Sequence, residues 1–132
     1  EMTFCDDLRE MDFGDFEGRC YEQLKNDADY VTWMESGGTL TCPNGEKMSD
    51  FSERVCRAFD ALVRQSIDAG DKKLVVVAHG GTLMAILSRY GRPERAYYEW
   101  YVDNCCGYHA YINEAGWSNT PTLENCQLFE TL

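Results

Sequence analysis

The chain has 132 residues, 44% of them hydrophobic, enough for one domain with a core and short for two. A net charge of −11 excludes an extended basic surface for nucleic acid or anionic membrane, although a small phosphorylated ligand can still meet a locally positive site. No apolar run approaches a membrane span, so no membrane partner is expected and a cytoplasmic location is.

In chain order, residues 1–19 are expected to be irregular, with a short extended entry at 3–5, because Asp, Gly and Phe interleave in DFGDFEG. Residues 20–36 keep a helical period broken near 26–29, with Tyr21, Leu24, Tyr30, Trp33 and Met34 as its apolar face. Residues 37–45, holding two adjacent glycines and Pro43, read as a loop. Ser49 is the expected N-cap of the strongest helix, with Asp50 and Glu53 in its first turn. Phe51, Val55, Ala58, Phe59, Leu62, Val63 and Ile67 keep the period, and Gly70 is a natural stop. The apolar run 74–78 reads as a buried strand, followed by a helix from Gly80 to about Tyr90. Pro93 can open a short helix through Trp100. Residues 105–112 alternate as a strand, 114–116 read as a turn, and 125–131 as a last strand. Strands alternating with helices predict a layered α/β domain.

Seven cysteines form no Cys-x-x-Cys pair, and the adjacent Cys105 and Cys106 would face opposite sides of a strand. Reduced thiols fit better than a disulfide framework or a metal site. No Cys-x5-Arg segment supports a cysteine phosphatase, and two histidines thirty residues apart make poor metal ligation.

The stretch LVVVAHGGTLMAIL, residues 74–87, carries the first chemical signal. A strand that ends in His79, turns on Gly80 and Gly81 and enters a helix presents free N–H groups at the positive end of a helix dipole. Such a turn takes anions, phosphate above all. The same residues also fit a core histidine beside a steric glycine pair. In LREMDFGDFEGR, residues 8–19, Glu10 stands on an irregular segment with Arg9 beside it. A carboxyl next to a bound phosphate holds its proton to higher pH and can serve as a general acid. The bland reading is a solvated Glu in an acidic loop. Arg19 is a second candidate for the pocket edge. Trp33, Tyr97, Tyr98, Trp100 and Tyr101 could line a cleft or simply fill core.

Three segments in order, LREMDFGDFEGR, NGEKMSDFSERV and VVVAHGGTL, resemble the histidine phosphatase superfamily, in the branch of small bacterial phosphatases that includes α-ribazole phosphatase. Leu8, Glu10, Gly14, Glu17 and Gly18 match its first motif. Gly45, Glu46, Asp50, Arg54 and Val55 match the second, with Lys47 where Ser is usual. His79, Gly80 and Gly81 match the third. The resemblance implies a phosphoglycerate-mutase-like three-layer sandwich, a mostly parallel sheet with helices on both faces. It implies that a histidine in an Arg-His-Gly motif accepts the phosphoryl group, that the residue at Glu10 protonates the leaving group, and that His79 binds the phosphoryl oxygens. Gly80, Gly81, Thr82 and Arg9 complete the expected phosphate site, Glu46 the loop that orients it. No cofactor and no metal are implied, and the expected partner is a small phosphorylated substrate.

The sequence departs from the family in lacking Arg-His-Gly, since His79 and His109 are its only histidines and His109 lies in an alternating strand pattern. It is therefore expected to be the C-terminal part of a single partial domain, residues 1–132, incomplete at its N-terminus and inactive alone. Missing a central strand, it is expected to pair with a second copy, to swap elements, or to pack with a separate N-terminal piece. The mutases of this family cover their substrate with a basic insertion, whereas residues 20–45 here hold one lysine, Lys25. That favours a phosphatase over a phosphoglycerate-mutase-type transferase. A non-catalytic binding module with a vestigial phosphate pocket is the reading from another class.

Overall fold

The structure, a computed structural model, describes residues 2–130. They form two compact units, residues 11–53 in one and residues 2–10 with 54–130 in the other.

The smaller unit is built on aromatic packing. Short 3-10 turns at Asp6–Leu8 (in the larger unit) and Gly14–Phe16 precede α1 (Tyr21–Leu24) and α2 (Ala28–Glu35). The expected break falls between these helices, where Asp27 caps α2 by accepting from the Asp29 and Tyr30 N–H groups. Phe16, Leu24 and Cys42 are buried, with Phe13, Tyr30 and Trp33 packed on them. The rings meet edge-on, Phe16–Tyr30 at 5.3 Å and Phe13–Trp33 at 6.0 Å. Tyr21 and Met34, expected on this face, are exposed instead, because α1 and α2 are separate short helices and do not share one stripe. Gly14 has a positive φ, and a Cβ there would run into the Pro43–Gly45 backbone, so only glycine allows that approach.

Helix α3 (Met48–Ala69) starts one residue before the expected cap: Lys47 carbonyl accepts the Phe51 N–H, and Ser49 lies inside the first turn. It ends as expected at Gly70, φ +75°, with Gly70 N–H on Ile67 O and Asp71 N–H on Ser66 O, the Schellman pair.

In the larger unit α3 packs on α4 (Gly80–Tyr90). Cys56 Sγ lies 3.5 Å from Ala85 O, and the Tyr90 hydroxyl donates to Cys56 O at 3.0 Å. Phe59, Tyr90 and Trp117 stack with centroids 5.5–6.2 Å apart. The region after Pro93 is helical only as a 3-10 turn, Tyr97–Trp100. Trp100 is fully buried and edge-on to Tyr108.

Strands β1 (Gly107–Ile112) and β2 (Leu123–Phe129) pair antiparallel, from Gly107↔Phe129 to Ile112↔Leu123. A bulge after His109 accommodates Asn125 at φ 51°, a conformation Asn tolerates. The final strand thus lies two residues earlier than expected. Residue 131, the end of the expected strand, is outside the described residues.

The predicted mostly parallel sheet is absent from the described residues, whose sheet has two antiparallel strands and whose one parallel pairing is an isolated bridge, Gly91↔Leu123. Residues 74–78 form no strand. Val75 and Val77 are 81% and 92% exposed and Val76 is half-buried, so the expected buried strand is overturned: among the described residues no strand pairs with it.

Candidate active site

The loop carrying Glu10 and the Tyr97–Trp100 turn meet at the start of α4, and α3 holds the loop. His79 takes the N-cap position with extended backbone (φ −70°, ψ 163°), and its carbonyl accepts the Leu83 N–H at 3.1 Å. The first N–H groups of the helix have no partner within it. The Gly81 N–H donates to Glu10 Oε2 at 2.9 Å, seventy-one residues away in sequence. An anion therefore occupies the positive end of α4, and it is the protein's own carboxylate. Gly81 is required for this approach: a Cβ there would lie 2.8 Å from Glu10 Cδ, whereas one at Gly80 would meet nothing within 4 Å.

Glu10 reaches the helix because its loop is clamped through its carbonyls. Arg54 on α3 donates from Nη1 to Asp7 O at 2.8 Å and to Arg9 O at 3.2 Å, and from Nη2 to Glu10 O at 3.4 Å. One rigid guanidinium fork thus holds three carbonyls of an irregular segment. Thr82, completely buried, turns its hydroxyl to Leu8 O (3.1 Å) and Arg9 O (3.3 Å). Its one hydroxyl proton is engaged there. Tyr97 donates to Gly81 O at 3.1 Å, and burial, helped by the Glu10 carboxylate, pushes its phenol well above the ordinary tyrosine range.

The structure thus brings Glu10, His79, Gly80, Gly81 and Thr82 together. His79 and Gly80 are exposed, open to a ligand. Arg9 takes part through its carbonyl, and its side chain is exposed. Arg19 belongs to the smaller unit, where its guanidinium donates to Asp27 and to the carbonyls of Asp15 and Gln23. Glu46 also belongs to that unit, where its N–H donates to Asp12 O at 2.8 Å and its carboxylate accepts the Asp12 N–H at 3.4 Å. Of the five aromatics, Trp33 and Trp100 are core, Tyr98 and Tyr101 are exposed, and Tyr97 alone touches the site. His109 is exposed on β1, edge-on to Tyr111. The seven cysteines form no disulfide, and no cluster of three or more metal-ligating side chains occurs among the described residues.

In the sequence Arg54 stands only as a motif match and Tyr97 only as an aromatic. The missed signal was topological: a carboxylate on an irregular loop needs donors from other elements to hold it.

No helix is long and apolar enough to cross a membrane among the described residues. No solved structure shows significant similarity to the chain. A curated relative from Hydrogenobacter thermophilus, "Putative phosphoserine phosphatase 2", is 37% identical over 82 residues, 61% of this chain and 38% of that protein. The chain therefore aligns with well under half of that relative's length. The profile of the histidine phosphatase superfamily (branch 1) matches residues 1–121, which contain every residue of the site. On a match spanning most of its length, the chain belongs to that superfamily.

Proposed function

We propose that this chain supplies the acid and phosphate-binding half of a phosphomonoester hydrolase, with Glu10 as general acid and His79, the Gly80, Gly81 and Thr82 amides and Arg9 as the phosphate site. The observation that carries this reading is the Glu10 carboxylate seated on the Gly81 N–H at the start of α4, beside the exposed His79. An arriving phosphoryl group competes for that N–H, and its charge favours the protonated form of the carboxyl it displaces. The acid is then loaded by the same event that binds the substrate.

The family resemblance supplies the rest of the cycle. A histidine in an Arg-His-Gly segment, which this sequence lacks, attacks phosphorus. The ester P–O bond breaks and Glu10 gives its proton to the leaving oxygen. Water then attacks the phosphohistidine, the P–N bond breaks, Glu10 takes the water's proton, and orthophosphate leaves. The name of the relative makes a phosphorylated hydroxy amino acid a substrate to try first.

The test begins with the gene upstream of residue 1. An Arg-His-Gly segment there is expected, and the whole gene product should hydrolyse phosphomonoesters, losing at least about a hundredfold of that activity in Glu10→Gln. A whole gene product without such a segment, or steady turnover by the 132-residue chain alone, contradicts the proposal.

A further inference from the structure

We infer that Tyr97 is a positioning residue for the acid: its hydroxyl holds the carbonyl of Gly81, the residue whose N–H, one Cα away, receives the Glu10 carboxylate. The inference rests on Glu10 being the acid, as proposed above.

One glycine carries both bonds. Its carbonyl accepts from Tyr97 at 3.1 Å and its N–H donates to Glu10 at 2.9 Å. Glycine is needed there for space, since a Cβ would overlap the carboxylate. The same residue is the least restrained backbone a helix start can have. A donor from outside the helix adds a restraint at its carbonyl.

Tyr97 can do this because its own turn is pinned. At the other end of Tyr97–Trp100, the Trp100 ring is fully buried, 5.3 Å from the Tyr108 ring of β1, with the Arg95 guanidinium 4.5 Å over its face. The phenol is therefore presented to Gly81 from a fixed base. Burial keeps it protonated, so it remains a donor across the working pH range. The division of labour is clear in the geometry: Arg54 and Thr82 hold the loop that carries the carboxylate, and Tyr97 holds the carbonyl of the glycine whose N–H receives it.

The experiment uses the 15N-labelled 132-residue chain with Tyr97→Phe and Glu10→Gln, singly and together, read at the Gly81 amide by NMR. Glu10→Gln alone should move the Gly81 proton upfield, because a neutral amide oxygen accepts less strongly than a carboxylate. In the Tyr97→Phe background that displacement should fall to half or less, while the Trp117 indole resonance stays in place. A ring that merely packs predicts no change, since Phe keeps the ring, and an undiminished displacement overturns the inference. If Tyr97→Phe does not fold, the unsubstituted chain decides: cross-peaks between the Tyr97 ring and the Gly81 α-protons are expected, and their absence overturns the inference. The outcome is separable from that of the proposed function. Loss of coupling in a chain that binds no phosphate keeps Tyr97 as the residue that positions the Glu10 carboxylate and removes the phosphatase reading on which its role toward an acid rests. Undiminished coupling in a chain that binds phosphate does the reverse.

Discussion

Gly80 and Gly81 are adjacent and chemically identical, yet their surroundings separate them. Gly80 has room for a methyl group, and Gly81 has the Glu10 carboxylate where the methyl group would go. Gly80→Ala is expected to raise stability by about 0.5 kcal/mol through helix propensity. Gly81→Ala should gain the same propensity and lose the carboxylate bond, worth about 1–2 kcal/mol, for a net loss. Urea denaturation of the two variants measures the difference, and equal stabilities would contradict the docking of Glu10. The helix start at His79 and the glycine pair was legible in sequence, from two glycines between an apolar run and a helical period. The docked carboxylate was not legible, because it depends on a contact across seventy-one positions. The partners of Arg19, nearby Asp27 and two carbonyls, were likewise not legible from its place in the motif.

At the level of elements, helix periodicity was the reliable signal. α4 has the expected bounds, and α3 differs by one residue at its start. Strand pairing was less readable because a strand needs a neighbour. β1 and β2 supply each other, and residues 74–78 have none among the described residues. α3 is also joined to the turn after β1: the Trp117 indole donates to Asp60 at 2.8 Å and Arg64 donates to the same carboxylate at 2.7 Å. The Arg64 hydrogen bond, helped by Trp117, holds the Asp60 carboxyl below its ordinary value against the opposing effect of burial. A depressed folded-state value gives stability that is present above the unfolded aspartate value, about 4, and is lost as pH falls through the folded value. Asp60→Asn should therefore be less stable than the wild type at pH 7, with the gap narrowing as pH falls below about 4. Urea midpoints at pH 7 and pH 3 check this, and a gap that is constant with pH would contradict it.

At the scale of the molecule, the chain leaves uncovered apolar surface at Met2, Phe4, Val75 and Val77, each about four-fifths exposed or more. A single-chain core normally covers such a run of side chains, and uncovered ones favour association. The 15.1 kDa chain is expected to elute as a species heavier than a monomer, with Val75→Lys and Val77→Lys together shifting it towards monomer. Light scattering that finds a monomer for the unsubstituted chain at about 100 μM would contradict this, given typical association strengths.

The most direct measurement is a titration of the 15N-labelled chain with orthophosphate, followed at the Gly80, Gly81 and Thr82 amides. If the start of α4 is a phosphate site guarded by Glu10, these amides shift saturably and His79→Ala weakens binding at least about tenfold, the equivalent of 1.4 kcal/mol. No saturable shift, or binding that His79→Ala leaves unchanged, would contradict it.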